Sequence, residues 1–419
     1  MRKILLKDTV LNGKKTDVLI AGNRFEKIAP GISADTGTEC VDASGTAIFP
    51  PFYNAHTHAA MTLLRGYADD KELFSWLNNH IWPFEAKMTA RDIYEGSRLA
   101  ILEMIRSGTV FFNDMYWQSD ETVRAALEMG VRACVGMTVT DFIGDAAIDA
   151  AFKRLSELKR GGWVDDAGMV RLTLAPHAVY TVCEKLWRRS AEFAREHELL
   201  LHIHLAETQK EVDDCVAAHG KTPIRWLDEL GVLGENVIAA HVVYADDEEI
   251  ALLRERGVVI AHNPCSNMKL ASGAFRSKAF SRAKCRLTIG TDGNASNNNL
   301  DMREETKFAA LLAKVSGDPE ALPADEALAW ATRNGASAFG IDAGEIAEGK
   351  LADAVLIDLN NERMVPAHNL ASNWVYSADS RCIRDVICAG KFLMRNRTIE
   401  NEAEILDAVR SLPILNGKS

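Results

Sequence analysis

The stretch FPPFYNAHTHAA, residues 49–60, drives an apolar run straight into two histidines one residue apart. On a strand, residues two apart face the same side, so His56 and His58 aim both imidazoles at one point. At a strand end that is half of a metal site, although two surface histidines would read the same way. What separates the readings lies further along. Later apolar runs end in His202, His204 and Glu207 (LLLHIHLAE), in His241 (VIAAHVVY) and in Asp292 (RLTIGTDG).

Eight strand candidates succeed one another at residues 54–58, 108–116, 132–139, 170–180, 199–207, 237–244, 258–264 and 286–293. Helix-period segments such as 89–106, 184–197, 246–256 and 302–314 lie between them, the alternation of parallel βα units. A closed (β/α)8 barrel, the TIM-barrel form of the α/β class, satisfies eight such units best. A doubly wound open sheet is the alternative, weakened because no glycine-rich dinucleotide fingerprint follows the first strand. Residues 1–49 are hairpin material, and strand patterns return in GEIAEGKLADAVLIDLN and IRDVICAGKFLMRN. Neither end has enough strands for its own core. We therefore expect residues 1–49 and 344–419 to combine into one small β-sandwich domain, with residues 50–343 inserted between them as the barrel.

The 419 residues, 47% hydrophobic and 26% charged, are those of a globular protein. A net charge of -11 argues against a nucleic-acid surface and leaves a small molecule as the expected partner, bound by a chain working alone or as a homo-oligomer. The opening apolar run is too short for a signal peptide, and no run reaches about 18 apolar residues, so a membrane partner is not expected and a cytoplasmic location is. Eight cysteines without a Cys-x-x-Cys pair read as reduced, mostly buried thiols.

In a barrel of this kind the active site lies at the C-terminal strand ends, where every candidate polar residue falls, His177 among them. A catalytic zinc site needs three nitrogen or oxygen ligands and an open position, with a fourth ligand completing the shell. His56, His58, Asp292 and one of His202 and His204 supply that set; alternation gives the last two the same side, so both stay open at this point. His177 reads equally as a wall residue or a substrate contact. His80, His197, His219 and His368 read as structural or solvent-facing, and His262 as packed. Glu103, Glu304 and Glu305 read as solvated helix faces or ion-pair members.

The runs NAHTH, HIHLAET, AAHVVY, HNPCSNMKL, IGTDGNASNNN and GEIAEGKLADAVLID together closely resemble the amidohydrolase superfamily, in its branch of methylthioadenosine and S-adenosylhomocysteine deaminases and chlorohydrolase-like enzymes. The resemblance selects His204 and implies that His56, His58, His204 and Asp292 hold one divalent metal, zinc or iron. LTLAPHAVY lacks the lysine that bridges two metals in binuclear members. The resemblance also implies hydrolytic deamination: His241 and Asp292 handle protons of water and leaving group, and Glu207 protonates a ring nitrogen. Trp76 and Glu85 match positions that stack adenine and bind ribose, beside His177 in the substrate pocket. Two departures matter. Pro51 stands where family members commonly have glycine, and residues 137–151 lack the arginines that hold the carboxylate of S-adenosylhomocysteine, carrying Asp141, Asp145 and Asp149 instead. A basic residue from elsewhere, for instance Lys269 or Arg303, would have to replace them. The expected substrates are thus methylthioadenosine, 5′-deoxyadenosine or adenosine, ahead of S-adenosylhomocysteine. An s-triazine amidohydrolase or chlorohydrolase is the alternative, and a non-catalytic scaffold on the same barrel is a third reading. Nucleobase deaminases with a Pro-Cys-x-x-Cys signature are excluded, since the cysteine pair is missing.

Overall fold

The structure, a computed structural model, describes residues 2–416. Five strands open the chain: β1 (Lys3–Leu11), β2 (Lys14–Ala21), β3 (Arg24–Ala29), β4 (Thr38–Asp42) and β5 (Thr46–Phe49). Eight more form a parallel sheet in chain order: β6 (Phe52–Thr57), β7 (Thr109–Tyr116), β8 (Arg132–Val139), β9 (Val170–Pro176), β10 (Leu201–Leu205), β11 (Val237–His241), β12 (Val259–His262) and β13 (Arg286–Ile289). β14 (Ala354–Asp358), β15 (Ile383–Cys388) and β16 (Lys391–Met394) come last.

Each of β6 to β13 coincides with one of the eight apolar runs, and those runs are continuous because parallel strands are covered on both faces. The outer helices include Ala90–Arg106 and Asp247–Arg256, which start on the capping boxes Thr89/Asp92 and Asp246/Glu249. The barrel closes where β13 meets β6: Asp292 N–H donates to His56 O at 3.0 Å, and Asn54 Nδ2 donates to Thr291 Oγ1 at 2.7 Å. Gly290 makes that seam. A Cβ there would lie 2.8 Å from His56 N, so the backbones could not approach with any larger residue.

The terminal strands form one mixed sheet in the order β16-β15-β14-β5-β1-β2-β3, with β4 alongside β1. The two ends of the chain join through β5 and β14, antiparallel with Leu356 opposite Ile48. Alternation divides β14 between two cores. Leu356 joins Ile4, Leu6, Ile20 and Phe25 inside the small unit, whereas Val355 and Ile357 pack toward the barrel. Near the end of the chain, Leu412 packs with Leu64, Trp76 and Ile81, beneath the segment that roofs the barrel mouth.

A buried acid couples the two units. Asp353, leading into β14, pairs with Arg132 of β8 (3.1 Å) and accepts from the hydroxyl of Tyr53 of β6 (2.9 Å) and from Ala389 N–H (2.6 Å). Asp353→Ala would strand a buried guanidinium and hydroxyl, so stability should fall by about 3–5 kcal/mol. Urea denaturation measures this. A change below about 1 kcal/mol, the range of an exposed pair, would show that the coupling does not depend on Asp353.

Candidate active site

The structure brings His56, His58, His204, His241, Glu207 and Asp292 together at the C-terminal ends of β6, β10, β11 and β13, all of them buried or nearly so. Asp292 Oδ1 is 3.3 Å from His56 Nε2 and 3.2 Å from His58 Nε2, and His204 Nε2 is 3.3 Å from His58 Nε2. His241 Nε2 lies 4.0 Å from Asp292 Oδ2 and 3.9 Å from Glu207 Oε2. Three residues that turn this set inward, Ala206 (φ 50°), His241 (φ 72°) and Asp292 (φ 60°), adopt left-handed backbone without being glycine. Such conformations cost about 1–3 kcal/mol each and persist only where the surroundings enforce them, commonly at functional sites.

The far nitrogen of each histidine is held. His58 Nδ1 lies 2.6 Å from Met115 O and His204 Nδ1 lies 3.0 Å from His177 O, so each must carry its proton on Nδ1 and present a lone pair at Nε2. His56 Nδ1 is 2.8 Å from His202 Nε2, whose own Nδ1 faces Asp114 O at 3.3 Å, a relay ending on the backbone. The choice between the two β10 histidines is thereby made in geometry: His204 reaches the cluster, and His202 sits behind His56. Asn267 Oδ1 holds His241 Nδ1 at 2.8 Å, while the hydroxyls of Ser266 (2.6 Å) and Ser296 (3.0 Å) fix Asp292 Oδ2.

These donors suit a divalent cation. His56 Nε2 is fully buried with no hydrogen-bond partner, and the inward ligand atoms of His56, His58 and His204 lie within 4.8 Å of one another. Three imidazoles and a carboxylate, each braced from behind, is the chemistry that binds zinc-like ions. Burial lowers His56 to about 4 and His177 to about 3, favouring neutral rings. Burial also opposes charge on His58, but the hydrogen bond and charge of Asp292 overcome it and lift His58 to about 9; a cation would displace that proton.

Glu207 stands beside the cluster. Burial pushes its carboxyl upward, which favours the protonated acid; Ser272 Oγ reaches its Oε1 at 3.3 Å. Its backbone is clamped by Glu211, whose two oxygens accept from Ala206 N–H (2.9 Å) and Glu207 N–H (2.7 Å). Thr208-x-x-Glu211 has the form of a capping box, and Thr208 does cap Glu211 N–H, but the glutamate reaches back to the strand end instead.

The cleft over this cluster is walled by Trp76, Ile81, Trp82, Tyr116, Trp117 and Leu270, with Glu85, Thr138 and His177 as polar points. Glu85 turns inward: Oε2 accepts from Trp117 Nε1 at 3.3 Å and Oε1 is buried without a partner. No lysine or arginine lines the cleft among the described residues. Lys269 is engaged with Asp69 (2.7 Å) and Asn298, and Arg303 is buried beside Val375 O, so neither takes the place of the missing arginines. Asp141, Asp145 and Asp149 are exposed and do not line the cleft.

Several expectations need correction. Glu305 is fully buried rather than solvated, while Glu103 does pair with Arg65 at 2.6 Å. Cys40 and Cys183 are exposed, because their runs lie on surface segments. His262 is packed, stacked on Phe275 with centroids 4.4 Å apart.

Residues 47–393 match the amidohydrolase family, and the chain belongs to it. It is 43% identical over 412 residues to a 5′-deoxyadenosine deaminase of Methanosphaera stadtmanae, covering 97% of both chains. It is 44% identical to a 5-methylthioadenosine/S-adenosylhomocysteine deaminase of Archaeoglobus fulgidus, covering 97% of this chain and 95% of that one. Among solved structures, a zinc-bound adenosine deaminase from Xanthomonas campestris superposes with a TM-score of 0.91 at 36% identity, over 97% of this chain and 96% of the other. A zinc-bound atrazine chlorohydrolase of Arthrobacter aurescens, 23% identical with a TM-score of 0.88, covers 98% of this chain and all of its own; it shares the fold.

The relay behind His56 gives a prediction. His202→Ala should leave the circular dichroism unchanged yet weaken retention of zinc against a chelator by about 10–100-fold, as removal of a bracing partner does. Unaltered retention would mean that His56 holds its direction without His202.

Proposed function

We propose that this protein is a metal-dependent aminohydrolase that releases ammonia from the adenine base of nucleosides with a neutral 5′ group. The observation that carries the reading is the placement of the buried Glu207 carboxyl 3.9 Å from the Nε2 of His241, at the edge of the histidine cluster. An aromatic amine leaves only if its ring accepts a proton, because attack at the amino-bearing carbon pushes charge onto the adjacent ring nitrogen. Glu207 supplies that proton.

His56, His58, His204 and Asp292 would hold one divalent ion per chain, zinc being the closest match to the donor set. Such an ion, when bound, lowers the pKa of water toward neutrality. His241, its Nδ1 proton committed to Asn267, keeps the Nε2 lone pair free to take a proton from the attacking water. Asp292 carries a proton to the departing amine. The oxygen of water replaces the amino nitrogen, and the products are a hypoxanthine nucleoside and ammonia.

The unpartnered Glu85 Oε1 suits ribose hydroxyls, and Trp76 offers a face for the base. Beyond Glu85 the rim is aromatic: Phe142 meets Trp82 (centroids 5.7 Å apart) and Trp117 (6.3 Å). Apolar 5′ substituents fit that rim, whereas a carboxylate would lose water without gaining a cation. The deaminase names of the relatives support the same reading.

Glu207→Gln should retain the metal and the fold but lose turnover by about 10²–10⁴-fold, the usual effect of removing a general acid; near-normal ammonia release would remove Glu207 from this role. Hydrogen bonds to a charged group contribute about 1.5–3 kcal/mol each. The kcat/KM for methylthioadenosine should therefore exceed that for S-adenosylhomocysteine by more than about tenfold. A ratio at or below one would show that the carboxylate finds a partner elsewhere.

A further inference from the structure

Glu305 lies in the first turn of the helix Met302–Lys314, fully buried, with no lysine or arginine paired to it among the described residues. Its two oxygens reach a short helix and a loop. Oε2 accepts from Cys265 N–H at 3.1 Å, and Oε1 accepts from Asn297 Nδ2 at 2.6 Å. Cys265 immediately precedes Ser266 and Asn267, which hold Asp292 Oδ2 (2.6 Å) and His241 Nδ1 (2.8 Å). Asn297 follows Ser296, which also holds Asp292 Oδ2 (3.0 Å), and its amide donates a second time to Thr291 O (2.7 Å), next to Asp292 in the chain. One carboxylate thus grips the short helix Pro264–Lys269 after β12 and the loop after β13, which between them aim Asp292 and His241.

For stability alone this is a poor choice. A buried carboxylate without a cation carries a desolvation cost that an apolar side chain of the same size would not. Burial pushes the Glu305 carboxyl up, the mark of that cost, while the donors from Cys265 and Asn297 favour its charged form. An acceptor with two oxygens a fixed distance apart is, however, what can set the spacing of two segments that each bring it a donor.

We propose that Glu305 is a positioning residue that fixes the separation of this helix and this loop and so sets the aim of Asp292 and His241 at the reacting atoms. This rests on the reading of Asp292 and His241 as a ligand and a base for the hydrolysis proposed above. Glu305 does not touch substrate; it acts through Ser266, Asn267 and Ser296.

The test compares Glu305→Gln with Asn297→Ala, which cuts the same tie from its partly exposed end. An amide at 305 can accept from one segment only and must turn its NH2 toward the donor of the other. In the metal-replete enzyme acting on 5′-deoxyadenosine, both variants should lower kcat by about tenfold, in the range for outer partners of a metal site, with KM unchanged. In the cobalt-substituted protein both should shift the visible d–d bands, which report the ligand arrangement whether or not the substrate is turned over. Thr306→Val, which removes a hydroxyl bonded only to Met302 O of its own helix, should leave kcat and spectrum as in the parent. A parental kcat and spectrum in Glu305→Gln and Asn297→Ala would overturn the proposal. So would a fall in kcat with an unshifted spectrum, or a fall no larger than the loss of folded protein. If the parent itself releases no ammonia from any adenine nucleoside, the assigned function fails, while the cobalt spectra still decide whether Glu305 sets the aim of Asp292.

Discussion

Everything at the barrel mouth depends on the outward-facing nitrogen of each histidine being tied down. With His58 Nδ1 on Met115 O, His204 Nδ1 on His177 O and His56 Nδ1 on His202, the ring orientations and tautomers follow, and the Nε2 lone pairs converge beside Asp292. His56 Nε2 is buried without a hydrogen-bond partner, and three inward imidazole nitrogens crowded together are unfavourable until a cation fills the space. The site is thus built around a charge that the protein must recruit. The folding energy of the barrel holds the arrangement together against that repulsion and against the left-handed backbone at Ala206, His241 and Asp292.

The rest of the molecule can be understood as support for that cluster. The buried parallel strands end together at the barrel mouth, and the Gly290 seam closes the ring so that the ends of β6 and β13 lie side by side at the site. Acids that belong to no ion pair among the described residues, Glu211 behind Glu207 and Glu305 behind Asp292, replace cations with backbone and amide donors. The small terminal unit stands away from the chemistry but is anchored through Asp353 to Tyr53 and Arg132, on β6 and β8. The helical segment over the mouth supplies aromatic and aliphatic walls, and its underside rests on Leu412 near the end of the chain.

Much of this was legible in the sequence because strand burial and strand-end polarity leave local marks. The eight apolar runs map onto eight strands, and His56, His58, Glu207, His241 and Asp292 all stand where those runs stop. Period-two alternation could not separate His202 from His204, since it assigns a side and not a depth; only packing against His56 shows that one imidazole lies behind the other. Glu305 was misread for a related reason. The first turn of an amphipathic helix favours an acid whether it faces water or a neighbouring segment, and the segment that meets it is 40 residues away in the chain at Cys265. Cys40 and Cys183 failed in the opposite sense, since apolar neighbours in sequence do not bury a thiol on an edge or at a helix start.

One ion is expected at the meeting point of His56, His58, His204 and Asp292. Anomalous diffraction from crystals of the metal-replete protein, recorded on either side of the zinc edge, locates it. A single peak per chain should appear within coordinating distance of those three Nε2 atoms and the Asp292 carboxylate, with His202 outside that distance. Two peaks, or one peak ligated by a different set of residues, would contradict it.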